Sequence, residues 1–190
     1  MLLGKLVIVP AGFIYHWILE FLAEKLPQAY PIDVEIDYTE IKIPPTLYDH
    51  NTQQLRSEKF LQYLWQIDRW ASDEKVLAVV DEDAYAQGTN FVFGQAELGG
   101  RFGAIYLPRL KPEFYGEREN RALFLLRTLK EASHELGHLL GLDHCPTPGC
   151  VMNFSLSVWD VDRKDWRPCD KCLGKLGVLD VRARTRRRQI

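Results

Sequence analysis

What this chain of 190 residues lacks narrows its class before any motif is considered. No uninterrupted apolar run reaches the ~20 residues that a membrane-spanning helix needs. The most apolar stretch, "MLLGKLVIVPAGFIYHWILEFLAEKL", is broken by Lys5, Pro10, His16, Glu20 and Glu24. No small-residue cleavage site follows a compact apolar core there, so neither a membrane partner nor an export signal is expected, and a cytoplasmic location is. An excess of charge of one sign is missing too. Basic residues number 24 and acidic residues 26, and a net charge of −2 makes no field that would gather nucleic acid or anionic lipid. There is no internal repeat, and the one biased segment is the end, where Arg182, Arg184, Arg186, Arg187 and Arg188 crowd "VRARTRRRQI". Such a tail reads first as a solvated segment, with nucleic-acid contact as the minor alternative. Cysteine is scarce, four in all, and in a reducing compartment disulfides are the weaker explanation for them.

What is present suffices for an independently folding monomer, because 46% apolar residues can bury a core without external staples. Lys5 to Val9 reads as a strand, and Ile14, Ile18, Phe21 and Leu22 line one face of a following helix. Ile32 to Tyr38 alternates as a half-buried strand does, and Pro44 and Pro45 mark an irregular loop. Ser57 is placed to cap a helix running to about Trp70, with Phe60, Leu61, Leu64 and Ile67 inward. "KVLAVVD", ending at Asp81, has the continuous apolar character of a strand covered on both faces. Two more strands, around Phe91 to Ala96 and Phe102 to Leu107, flank Gly99 and Gly100 as a hairpin would. A helix is predicted from about Glu117, with Ala122, Leu126, Leu129, Ser133, Leu136 and Leu140 on its apolar stripe. Beyond Gly141 the chain becomes rich in Pro, Gly, Cys and Trp, with one helix predicted near Leu156 to Lys164 and a short one after Cys172. The fold class is therefore α/β. A mixed sheet, parallel in its first part, with packed helices forms an N-terminal subdomain over residues 1–141, and a small loop-and-helix C-terminal subdomain covers 142–190, the two making one compact unit.

The chemistry concentrates in "HELGHLLGLDHC". Four residues advance a helix by about 400°, so His134 and His138 project from one face and can grip one ion. Glu135 sits about 100° round, where it can reach a water on that ion without being a ligand, as a general base must. Gly141 lets the helix stop and the chain turn, bringing His144 back as third ligand. Three protein ligands leave a fourth position open, the arrangement of a catalytic zinc rather than a structural one. The four cysteines form a second set, with C-x4-C (Cys145, Cys150) and C-x2-C (Cys169, Cys172) pairs across eighteen residues. Paired spacings of this kind suit a closed tetrahedral thiolate site, a structural zinc, ahead of two disulfides or a reactive thiol. Cys145 adjoins a ligand of the first metal and belongs to the second, so the structural site would clamp the loop from His144 to Met152.

"HELGHLLGLDH" resembles the metzincin clan of zinc peptidases, and the following "CPTPGCVMNF…CDKC" resembles the archaemetzincin family in particular. The resemblance implies a zinc peptidase acting on peptides, with its active-site helix at a cleft between the subdomains. It makes Met152 the residue of a turn that floors the metal site, and Phe91, Val92, Phe93 and Gly94 the sheet edge against which substrate lies. Some metzincins carry a tyrosine where this chain has Phe154, whose ring can neither ligate nor donate. The alternative from another class is a noncatalytic zinc module that contacts nucleic acid or a partner protein. Glu135 counts against it, because a binding module has no need of a general base.

Overall fold

The computed structural model describes residues 2–178; the arginines from Arg182 to Arg188 lie outside them. A five-stranded mixed sheet has the order β2-β1-β4-β7-β6. Its strands are β1 (Lys5–Ala11), β2 (Asp33–Ile36), β4 (Glu74–Val80), β6 (Gly94–Ala96) and β7 (Phe102–Tyr106). The pairs β1·β2, β1·β4 and β4·β7 are parallel, and β6·β7 is antiparallel. The predicted α/β class and the parallel first part are present. A separate two-stranded ladder joins β3 (Leu55–Arg56) to β5 (Ala84–Tyr85).

The helices are α1 (His16–Ala29), α2 (Ser57–Gln66), α3 (Arg121–Leu139), α4 (Val158–Arg163) and α5 (Asp170–Lys175). Side chains alternate across a strand, so each central strand feeds two cores. Leu6 and Ile8 of β1, Leu77 and Val79 of β4 and Ile105 of β7 pack with α1 and α3. Val9, Val76, Ala78, Val80, Phe102 and Ala104 pack on the opposite face with Phe60, Leu61 and Leu64 of α2. Leu142, Cys145, Cys150, Met152, Val158 and Val161, beyond Gly141, belong to the same apolar cluster as α3. Among the described residues no helix is long and apolar enough to cross a membrane.

Several boundaries differ from expectation, each for a local reason. Ser57 does not cap α2: the cap position is Arg56, and the buried Ser57 hydroxyl instead meets the Tyr106 hydroxyl at 2.7 Å. A phenol buried in a core needs such a partner. α2 stops at Gln66, before Asp68 and Arg69, which are held in ion pairs with Arg101 and Asp37. β2 is shorter than Ile32 to Tyr38 at both ends, and just past its second end Asp37 turns its carboxylate to Arg69 and Trp70. α3 starts at Arg121 rather than Glu117, because Asn120 caps it by accepting from the Leu123 N–H at 3.0 Å. Ala122 and Leu126 are exposed, whereas from Arg127 to Gly137 α3 is buried on every side. A helix threaded through the middle of a domain has no single apolar stripe, and its charged residues must find partners there. The last helix begins before Cys172, not after it.

Candidate active site and metal centres

α3 carries His134, Glu135 and His138 in its final turns. Gly141, at φ +91°, then reverses the chain, with the Gly141 N–H on the His138 carbonyl and the Leu142 N–H on the Gly137 carbonyl at 2.9 Å each. The Gly99 N–H of the β6–β7 turn also donates to the His138 carbonyl, at 2.8 Å, so the hairpin tip locks this end of the helix. The turn delivers His144, and one ring nitrogen from each histidine lies within 4.8 Å of the others.

The hydrogen bonds settle which nitrogens are free. His134 Nδ1 lies 2.7 Å from the Val151 carbonyl and His138 Nδ1 2.7 Å from the Leu142 carbonyl. A carbonyl only accepts, so each Nδ1 carries the hydrogen. Burial, and then the charge of Lys164, hold His134 neutral well below the usual imidazole range, and burial lowers His138. Two bare Nε2 lone pairs therefore face each other at 3.1 Å. Lone pairs that close repel unless a cation bridges them, and a tetrahedral zinc with ~2.0 Å bonds would set them ~3.3 Å apart. The histidine set fits the metal.

The cysteine set fits as well. Cys145 Sγ and Cys169 Sγ are 3.8 Å apart, as are Cys150 Sγ and Cys172 Sγ. That separation is well beyond a disulfide at ~2.0 Å and equals the ~3.8 Å edge of a tetrahedron with ~2.3 Å zinc–sulfur bonds. Burial opposes ionisation of Cys169, but the Cys172 N–H and neighbouring hydrogen bonds pull its thiol down to about 6, toward the thiolate a metal requires.

Known proteins share this chain's sequence and fold. The sequence profile of peptidase family M54 matches residues 6–177. The chain is 43% identical over 176 residues to the archaemetzincin of Methanocaldococcus jannaschii, covering 93% of this chain and 94% of that one.

The chain belongs to peptidase family M54.

Crystal structures of relatives agree. The archaemetzincin of Methanopyrus kandleri superposes with a TM-score of 0.80 at 33% identity, over 92% of this chain and 93% of that one. That of Archaeoglobus fulgidus, complexed with malonate, gives 0.76 at 36% identity, over 90% and 99%. This M54 peptidase is thus a zinc metallopeptidase, with one three-histidine and one four-cysteine group able to hold the ion.

The remaining residues of the M54 site explain its shape. A cleft of about 480 Å³ runs between the 88–96 segment and the loop Phe154–Leu156, with His134, Glu135, His138, His144, Glu131 and Lys164 on its walls. Glu135 is buried, its Oε2 has no hydrogen-bond partner among the described residues, and burial followed by the charge of Glu131 raises its carboxyl well above the usual range. Phe154 packs edge-on against the His144 ring at 5.0 Å. Met152 lies fully buried against Gly137, between the first two histidines, where the Tyr30 hydroxyl also arrives and donates to the Ser133 carbonyl at 2.9 Å. A side chain on Gly137 would meet that hydroxyl at 2.8 Å and collide with the Met152 sulfur, so glycine at 137 lets Met152 pack against α3.

The expected edge strand is only partly one. β6 starts at Gly94, because the Val92 N–H donates to the Ala84 carbonyl and draws Phe91 and Val92 away from β7, although the Phe93 carbonyl still accepts from the Tyr106 N–H and all three residues line the cleft. Gly94 has a further reason to be glycine. A methyl there would lie 2.5 Å from Glu135 Oε1 and 2.7 Å from its Cγ. Gly94→Ala is accordingly expected to displace the carboxylate and lower turnover roughly 10- to 100-fold at unchanged zinc content. Peptide kinetics beside metal analysis would check it.

Proposed function

We propose that this chain hydrolyses short peptides, with Glu135 as general base, His134, His138 and His144 as ligands of the catalytic zinc, and the four cysteines as ligands of a structural zinc. The observation that carries the reading is the pair of bare, facing imidazole nitrogens beside a buried carboxylate with one unengaged oxygen. Zinc, when bound, polarises water and the scissile carbonyl and supports charge that develops there. The protein's own groups do the rest. Glu135 takes the proton from water at Oε2 and returns it to the departing amine nitrogen, a transfer favoured by a carboxyl whose affinity for protons burial has raised.

Substrate is held as an added strand on β6, the sheet edge. Phe93 and Glu97 spend their ladder bonds on β7, and in an antiparallel ladder the bonding alternates, so Gly94 and Ala96 turn their N–H and C=O groups outward. A cleft of about 480 Å³ accommodates a few residues, which favours short peptides over folded proteins. Four free thiols favour a reducing compartment.

The test is a peptide-library digest with zinc-loaded protein, read by mass spectrometry. Cleavage of short peptides with folded substrates left intact is the expected outcome. No cleavage by fully loaded protein would return it to the noncatalytic reading. Metal analysis should find two zinc ions per chain, and a chelator should remove the histidine-bound one first, because an open position admits the competing ligand. A single ion in loaded, folded protein would eliminate one of the two sites.

A further inference from the structure

We infer that Lys164 is a catalytic residue: its ammonium donates a hydrogen bond to the scissile carbonyl oxygen as that oxygen gains negative charge. The inference rests on the peptidase reading above. Among the described residues, Lys164 is the only lysine or arginine that lines the cleft. Its side chain is 2% exposed, and its Nζ lies 2.9 Å from Oε1 of Glu131, which is 4% exposed. Glu131 precedes Glu135 by one helical turn, so the lysine reaches the side of α3 that carries the proposed base.

The donor count is what suggests a ligand. An ammonium has three N–H groups; Glu131 meets this one as an ion pair, and the Asn153 carbonyl lies at 3.5 Å, the outer limit of a hydrogen bond. At least one N–H is left, on a buried cation that lines the same cleft as His134, Glu135, His138 and His144. A buried ion pair adds little to stability over apolar residues of the same shape. An unspent charged donor beside the reacting atoms, by contrast, acts where low dielectric makes it strong.

The mount is rigid, as such a donor requires. α4, whose C-cap is Lys164, opens with a capping box between Ser157 and Asp160. Arg127 of α3 then grips Asp162 through two bonds of 2.8 and 2.7 Å, and Lys130 bonds the Asp162 carbonyl at 2.8 Å. Glu131 completes the placement by holding the ammonium from α3 itself. Lys164 supplies a hydrogen bond and a positive charge, and Glu135 alone exchanges a proton in the step.

The test compares zinc-loaded wild type with Lys164→Met, Lys164→Arg and the double variant Glu131→Gln/Lys164→Met. Lys164→Met is expected to lower kcat about 100-fold, the scale for one lost transition-state donor, with KM within about threefold. Its Kd for a phosphinic peptide, which carries the anionic oxygen of the transition state, should weaken by a similar factor. Lys164→Arg should recover part of both. Lys164→Met strands a buried carboxylate and can fail to fold. The double variant removes both charges, so it should regain thermal stability and zinc content while kcat and phosphinic-peptide affinity stay low. A double variant with wild-type kcat and phosphinic-peptide Kd would overturn the inference and leave the ion pair as a latch between α3 and α4. Phosphinic-peptide binding is measured by calorimetry whether or not turnover is seen, so an inactive wild type would count against the peptidase reading and not against Lys164.

Discussion

Glu135→Ala is expected to lower peptide hydrolysis by at least about 100-fold while both zinc ions stay bound. The carboxylate lies one residue after His134 but off the face that carries the histidines, and the nitrogens that converge belong to the histidines alone. Its removal should not unfold the protein. A buried carboxyl with an unpartnered oxygen is a net cost to the folded state, so alanine exchanges that cost for a small cavity. The melting temperature should stay close to that of wild type or rise. Glu135→Gln sharpens the result, since the amide fills the same space under Gly94 yet cannot take a proton. Both variants should fall together in kcat with little change in KM. Turnover that survived in Glu135→Gln, at full zinc content, would remove Glu135 from the chemistry and leave the zinc without a protein base.

The parts of the site that lie within one element were legible in the sequence. His134, Glu135 and His138 follow from helical periodicity, and Gly141 and His144 from what a helix end needs. The cysteine spacing likewise announced a metal set, because each pair is local. The missed residues act across long separations. Glu131 and Lys164 meet only because α4 docks on α3, and Tyr30 reaches Met152 only because α1 packs beside the same helix. In the sequence each is an unremarked lysine, glutamate or tyrosine. Gly94 gave a signal, a glycine within a strand, but its reason is the Glu135 side chain 41 positions later. The Phe91 to Ala96 strand was predicted too long for a similar reason. Its composition is right for a ladder, and a single hydrogen bond from Val92 to Ala84 takes Phe91 and Val92 elsewhere. The apolar stripe of α3 misled because Ala122 and Leu126 sit before the helix enters the core, a fact that depends on where the helix starts in space.

Cys150→Ser is expected to weaken zinc binding at the histidines by about 10- to 100-fold, although Cys150 contributes no atom there. Cys150 Sγ lies 3.8 Å from Cys172 Sγ and accepts from the Cys169 N–H at 3.3 Å, so the change opens the cysteine site and frees two segments from each other. The next residue is Val151, whose carbonyl holds His134 Nδ1 at 2.7 Å and thereby turns Nε2 toward that of His138. At the other end of the loop, Cys145 follows His144 directly. One further residue limits the damage. Asn153 bonds the Cys145 and Thr147 carbonyls at 2.6 and 2.8 Å, and the Cys145 N–H donates to the Met152 carbonyl at 2.9 Å, all without metal. His144 should therefore stay near its place, and the loss should travel through Val151 and His134. Two comparisons separate these routes. Adding Asn153→Ala to Cys150→Ser should release His144 as well and deepen the loss of histidine-site zinc beyond either change alone. His138→Ala should strip the catalytic zinc yet leave the cysteine site filled, because no cysteine depends on His138 for its orientation. A one-sided dependence of this kind, read by metal analysis and melting temperature together, marks the cysteine zinc as the clamp that presents the catalytic ligands. If Cys150→Ser lost only its own ion, with histidine-site affinity and peptidase activity intact, the Val151–His134 bond would be held by the apolar core alone.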